Sequence, residues 1–185
     1  MLDSLVFSTS TDHFFSSAYL TVVVLDRPRH QNLVNTIREL GVRICLISDG
    51  DISAALMTAW PNSGIDVLLG AGGSKEAVVA ACALKCLGGE MQCIPWIRHE
   101  DETAAILEAG FDPASSWTME TLAPGKEISA AVTGITGVGM LSGVVYHNWW
   151  AETHSLVMRA KSGTVREIRA KHHVALRPED SSKVR

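Results

Sequence analysis

Three short runs of aliphatic residues, Thr21–Leu25, 42–48 and 65–69, each stop abruptly on charged or glycine-rich residues. Such runs read as strands buried on both faces. Between them the period changes to that of a helix. Pro28 suits a first helical turn, Leu33, Val34, Ile37 and Leu40 form one apolar stripe, and Gly41 ends it. Residues 51–60 predict a second helix, closed by the turn Pro61-Asn62-Ser63-Gly64. Ser74–Leu87 predicts a long apolar helix, with Gly88-Gly89 as its stop. The order β-α-β-α-β-α argues for a parallel, doubly wound sheet.

Beyond Glu90 the pattern loosens. Residues 101–109 predict a short helix. Residues 128–137, 156–161 and 164–169 predict strands, with Ser162-Gly163 as a two-residue hairpin turn between the last two. The expected fold is therefore α/β: a mixed, mostly parallel sheet flanked by helices, with added antiparallel strands in the C-terminal third. There is no internal repeat. Residues 1–20 show no clear period and are expected to lie outside the compact unit, which spans 21–176. The polar residues 177–185 are expected to fray.

Composition narrows the function classes. At 185 residues one domain with one real core is the default. Hydrophobic content of 46% and mean hydropathy of +0.15 mark a folded chain. The net charge is −4 with a pI of about 5.9, and no basic run occurs, which argues against nucleic acid and anionic membrane as partners. No apolar stretch approaches the roughly 20 residues that span a bilayer. The first 20 residues lack Lys and Arg and include Asp3 and Asp12, unlike a secretory or transit signal. Cys45, Cys82, Cys86 and Cys93 form no CxxC pair, so they read as small buried hydrophobes in a reducing compartment, expected to be the cytoplasm.

The candidate chemistry sits where the strands end, the edge at which open α/β sheets bind ligands. Arg27-Pro28-Arg29 presents two guanidiniums, whose forks suit phosphate, ahead of a helix N-terminus that adds positive charge. The same residues also read as a surface arginine pair behind a capping Asp26. Asp49-Gly50-Asp51 offers two carboxylates to sugar hydroxyls or a hard cation, or merely caps the next helix. Gly70-Ala71-Gly72-Gly73 allows backbone N–H groups to approach an anion. It matches neither GxGxxG nor GxxxxGK[ST]. Glu76, in the next helical turn, is either a metal ligand or an acid that suits the helix dipole. His30 reads as a helix-surface residue within reach of phosphate. His172-His173 reads as solvated, and Trp149-Trp150 as packing or an exposed patch.

The stretches LDRPRH at 25–30, SDGD at 48–51, GAGGxxE at 70–76 and ALKCLGGEM at 83–91 occur in order with coherent spacing. Together with TGIT at 133–136 and HSLVMRAKSGTVR at 154–166, they resemble the C-terminal half of class II fructose-1,6-bisphosphatases. The resemblance covers roughly residues 21–175 and implies the lithium-sensitive, metal-dependent sugar-phosphatase fold. It implies hydrolysis of the 1-phosphate of fructose 1,6-bisphosphate to fructose 6-phosphate, with sedoheptulose 1,7-bisphosphate as a second substrate in some relatives. It implies Arg27 and Arg29 as phosphate ligands, Asp49 and Asp51 as the sugar-binding pair, Gly73 as a substrate contact and Glu76 as a ligand of Mn2+ or Mg2+. Ser74-Lys75 departs from the Ala-Pro common in the family and places a charge beside Glu76. The family's catalytic residues and most of its metal ligands belong to an N-terminal half that residues 1–20 do not resemble. The expected partners are a sugar bisphosphate and either further copies of the chain or that missing half. A non-catalytic sugar-phosphate-binding subunit is the competing reading.

Overall fold

A computed structural model describes residues 3–6, 20–97, 99–137 and 139–174, with only the backbone path for 3–6. In the main sheet the strands are β1 (Asp3–Val6), β2 (Thr21–Leu25), β3 (Arg43–Ile47), β4 (Val67–Gly73), β5 (Gln92–Cys93) and β6 (Trp117–Thr118). Their spatial order is β3-β2-β4-β1-β5-β6. The pairs β2–β3 and β2–β4 are parallel, and the three remaining pairs are antiparallel. The alternation in Thr21–Leu25 explains why β2 is central. Val22 and Val24 face α1 (Gln31–Glu39), where Val34 and Ile37 cover them. Val23 faces the other side, where α2 (Asp51–Thr58) and α3 (Ser74–Leu87) supply Ala54, Ala55, Ala77, Ala80 and Leu84. The small alanines let these helices lie close to the sheet.

A second, antiparallel sheet covers the far side of α2 and α3. It comprises β7 (Ser129–Thr133), β8 (Val145–His147), β9 (Trp150–Arg159) and β10 (Thr164–His173), in the order β10-β9-β7 with β8 also paired to β9. Leu156 and Met158 of β9 pack on Leu56, Ala83 and Cys86. The layers thus run α1, mixed sheet, α2/α3, antiparallel sheet. Two further helices, α4 (Glu100–Glu108) and α5 (Met119–Leu122), flank the first sheet's β5–β6 end.

The α/β class and the C-terminal antiparallel strands match the sequence reading. Several boundaries move. Residues 3–6 belong to the sheet between β4 and β5, so the expectation that 1–20 stand outside the compact unit fails for these four; residues 175–185 lie outside the described set. Strand β4 does not end at residue 69. It continues through the glycines to Gly73, because β1 offers it a second, antiparallel partner. The hairpin between β9 and β10 is closed by a 3-10 turn at Ala160–Ser162 plus Gly163 at φ +58°, and not by two residues. His172 and His173 extend β10 as exposed strand residues, with His172 Nε2 2.9 Å from Thr153 Oγ1.

Candidate functional site

In the order β3-β2-β4, the chain runs from β2 to β3 on one side and then returns from β3 past β2 to β4 on the other. The switch point lies between β2 and β4, the crevice where such sheets take ligands. The backbone ladder there is short: Val22 pairs Val67 and Val23 pairs Leu68. Past it the strands are tied by side chains. Arg29 donates from Nε (3.2 Å) and Nη2 (2.8 Å) to the carbonyl oxygen of Ala71. The amide of Ala71 donates to His30 Nε2 at 2.9 Å, and His30 Nδ1 lies 2.8 Å from the Leu25 carbonyl. The arginine turn and the glycine segment therefore meet at one place.

His30 corrects the sequence reading. It is 3% exposed and is not a helix-surface residue. The 3-10 turn Pro28–His30 swings its ring under the sheet edge before α1 begins. Asp26 does not cap this turn. The turn's cap position is Arg27, whose Nη1 donates to the Asp26 carbonyl at 3.4 Å. Among the described residues the Arg27 guanidinium thus has the weaker internal commitment, while Arg29 spends Nε and Nη2 on Ala71.

Gly73 caps α3 in an extended conformation (φ −72°, ψ 146°) that any residue can adopt. What singles it out is space. A Cβ there would overlap Glu76 Oε2 and stand 3.1 Å from Glu76 Cδ. The Glu76 carboxylate thus folds back over the glycine at the helix start, where the unpaired N–H groups gather. Glu76 itself is exposed. As a metal site this is partial. One hard carboxylate sits in a notch that a methyl group would fill, and no group of three or more His, Cys, Asp or Glu side chains gathers among the described residues.

Asp49 and Asp51 follow β3, the edge strand. Gly50 between them has φ +89°, a conformation that suits glycine and turns the chain into α2. Each carboxylate spends one oxygen locally: Asp49 Oδ1 accepts from Gly50 N and Asp51 Oδ1 from Ile52 N, both at 2.9 Å. Asp49 and Gly50 line a cleft of about 800 Å3 with Ile47, Met57, Thr136 and Gly139. Neither arginine nor Glu76 lines that cleft. The described fold therefore brings Arg27, Arg29, Gly73 and Glu76 around the switch point, and sets the aspartates one strand away beside the 133–139 loop.

That loop is the part sequence reasoning underused. It folds tightly on itself, with Val144 N donating to Ile135 O at 3.0 Å. His154, on β9, anchors it. Its carbonyl accepts from Gly134 N (2.9 Å) and its Nδ1 accepts from Ser142 N (3.0 Å). Nδ1 as acceptor leaves the proton on Nε2, 2.8 Å from Glu167 Oε1 but off the direction a hydrogen bond needs. The TGIT and HSLVMR stretches were visible as motifs, yet their mutual contact spans a separation that no local pattern encodes. The four cysteines are free thiols, with Cys86 and Cys93 buried and Cys45 and Cys82 partly so. Burial pushes the Cys93 thiol up to about 11.

Comparison with known proteins adds identity to this geometry. Residues 13–172 match the family model described as bacterial fructose-1,6-bisphosphatase, glpX-encoded. Two Synechococcus proteins (strains JA-2-3B'a(2-13) and JA-3-3Ab), each named D-fructose 1,6-bisphosphatase class 2/sedoheptulose 1,7-bisphosphatase, are 42% identical over 166 residues. A Crocosphaera subtropica (strain ATCC 51142 / BH68) protein of the same name is 37% identical over 166 residues. Each match covers 83% of this chain and 48% of the relative. The chain thus spans about half the length of the curated relatives it matches.

Proposed function

The chain belongs to the bacterial, glpX-encoded fructose-1,6-bisphosphatase family, and we propose that it supplies the substrate-binding half of a metal-dependent sugar bisphosphatase. The reaction is hydrolysis of the 1-phosphate of fructose 1,6-bisphosphate, with sedoheptulose 1,7-bisphosphate as a further substrate. Water oxygen adds to phosphorus, the bond from phosphorus to the C1 oxygen breaks, and that oxygen leaves with a proton as fructose 6-phosphate.

One observation carries the reading: the Arg29 fork on Ala71, which ties the arginine turn to the glycine segment at the switch point. In this reading Arg27 and Arg29 bind a phosphate by charge-assisted hydrogen bonds. Gly73 gives the phosphate close access to the backbone at the start of α3. Asp49 and Asp51, each with an oxygen left over, accept from sugar hydroxyls. Glu76 contributes one oxygen ligand to Mn2+ or Mg2+. Divalent-cation chemistry at such a carboxylate polarises a phosphoryl oxygen and acidifies water. The remaining ligands and the groups that place the attacking water belong, in this reading, to an N-terminal half of the kind its relatives have length for. A non-catalytic sugar-bisphosphate module is the second reading. What favours it is that no group of three or more metal-ligating side chains gathers among the described residues.

Calorimetric titration of fructose 1,6-bisphosphate, and separately of fructose, into the chain tests the shared premise. Binding of the bisphosphate that fructose cannot match, and that weakens in Arg27→Ala, is expected. No bisphosphate binding at millimolar concentration contradicts both readings.

A further inference from the structure

We propose that His30 is a positioning residue: it locks the arginine turn to the glycine segment through Ala71, and so sets where Gly73 and Glu76 stand. The inference rests on the functional reading above for its consequence, but on geometry alone for the lock.

In a strand the N–H and C=O of one residue face the same neighbour. For Ala71 that neighbour should be the continuation of β2. The ladder between the two strands ends at Val23 and Leu68, and the chain then turns away at Arg27-Pro28. Two side chains from that turn take over. Arg29 donates to the Ala71 carbonyl, and His30 Nε2 accepts from its amide. On the other side the pairing of β4 with β1 shifts register between Gly70 and Gly73, the stretch that holds Ala71. The two side chains thus hold a peptide at a point where both neighbouring ladders are interrupted.

Only one form of histidine fits. Nε2 accepts from Ala71 N, so it carries no proton, and Nδ1–H then donates to the Leu25 carbonyl. Both nitrogens of a ring that is 3% exposed are satisfied, as a buried polar group requires. The neighbour is fitted as well. A Cβ on Gly70 would stand 3.3 Å from His30 Cε1 and 3.4 Å from Nε2, a contact tighter than ordinary packing. A residue serving only to fill the core needs neither nitrogen, and an aliphatic side chain would fill the same space without a polar cost.

The test uses the full chain and three variants. The wild-type ring is read by its 15N shifts, which are expected to show the neutral Nδ1–H tautomer. In His30→Gln the far-end carbonyl keeps an acceptor near Ala71 N, whereas His30→Asn is too short to do so. Amide hydrogen exchange at Ala71 is expected to accelerate about tenfold in His30→Asn, the scale of leaving one buried amide without its partner. It should change little in His30→Gln. Fructose 1,6-bisphosphate affinity should fall about tenfold in His30→Asn and recover in His30→Gln, each measured at the same interval below the variant's own melting temperature. His30→Leu, which fills the space, should behave as His30→Asn.

An Nε2–H tautomer or an imidazolium in the wild type overturns the proposal. So does unchanged Ala71 exchange in His30→Asn and His30→Leu, or loss of affinity in step with melting temperature across all three variants. If the wild type binds no bisphosphate, the functional reading fails while the tautomer and exchange results still decide the lock.

Discussion

Replacing Gly73 by alanine separates stability from function. The backbone there is extended, so alanine fits without strain, and its smaller unfolded-state entropy should stabilise the fold by about 0.4–1 kcal/mol. The added methyl nevertheless overlaps Glu76 Oε2 and stands 3.1 Å from Cδ, inside an ordinary contact. The obstacle is the end of a flexible side chain, so the carboxylate yields rather than the helix. It must swing by on the order of 1 Å, several times the roughly 0.2 Å tolerance of a metal–ligand distance. If Glu76 is a ligand, Mn2+ affinity should fall by at least the 10–100-fold that loss of a mere supporting partner costs. The assay is Mn2+ titration followed by electron paramagnetic resonance, beside thermal melts, on the wild type, Gly73→Ala and Glu76→Gln in the reconstituted enzyme. Gly73→Ala is expected to melt at or above the wild-type temperature, Glu76→Gln near or slightly below it for loss of the first-turn acid, and both to bind Mn2+ weakly. Normal Mn2+ affinity in Gly73→Ala, with Glu76→Gln impaired, would refute the argument that the notch holds the carboxylate in place.

Other consequences are simpler. Arg27→Ala should weaken fructose 1,6-bisphosphate binding by about 1.5–3 kcal/mol with little change in melting temperature, whereas Arg29→Ala should weaken binding and also lower the melting temperature, because Ala71 loses its fork; calorimetry beside melts separates the two. Asp49→Asn and Asp51→Asn should each raise KM with kcat nearly unchanged, as for a contact equal in ground and transition states; a shifted metal requirement at normal KM would assign them to the metal instead. Cys93 is held up at about 11 from 9.0 by burial. Below about pH 9 its thiol is protonated folded and unfolded alike and stability is whole. As pH rises from 9 to 11 only the unfolded thiol ionises, so stability should fall by on the order of 2–3 kcal/mol. Denaturant melts against pH, repeated in Cys93→Ala, measure that loss, and an identical alkaline slope in the variant would contradict it.

The strand-end position of the candidate residues was legible because they sit where one period stops. A strand that ends on LDRPRH or LISDGD announces a loop without any knowledge of what it meets. What was not legible depended on partners far along the chain. The glycine segment reads as a loop in isolation, and becomes strand β4 because β1 pairs with it from residues 3–6. His30 reads as a surface residue on a helical pattern, yet the 3-10 turn rotates it inward to meet an amide 41 residues away. The burial of His154 under the 134–142 loop depends likewise on a contact between distant motifs. Local periodicity carries element type. It carries neither the crossing of strands nor the peptide groups that a crossing leaves to side chains.

Phosphate release is the direct measurement. Residues 1–185 are purified and assayed on fructose 1,6-bisphosphate with Mn2+, alone and with the N-terminal half of a class II relative added in trans. The account predicts bisphosphate binding but no turnover alone, and turnover on addition of the second half that is lost again in Arg27→Ala. Turnover by the isolated chain in the ordinary enzyme range of about 1–10³ s⁻¹ would contradict it, because one carboxylate at the switch point would then have sufficed.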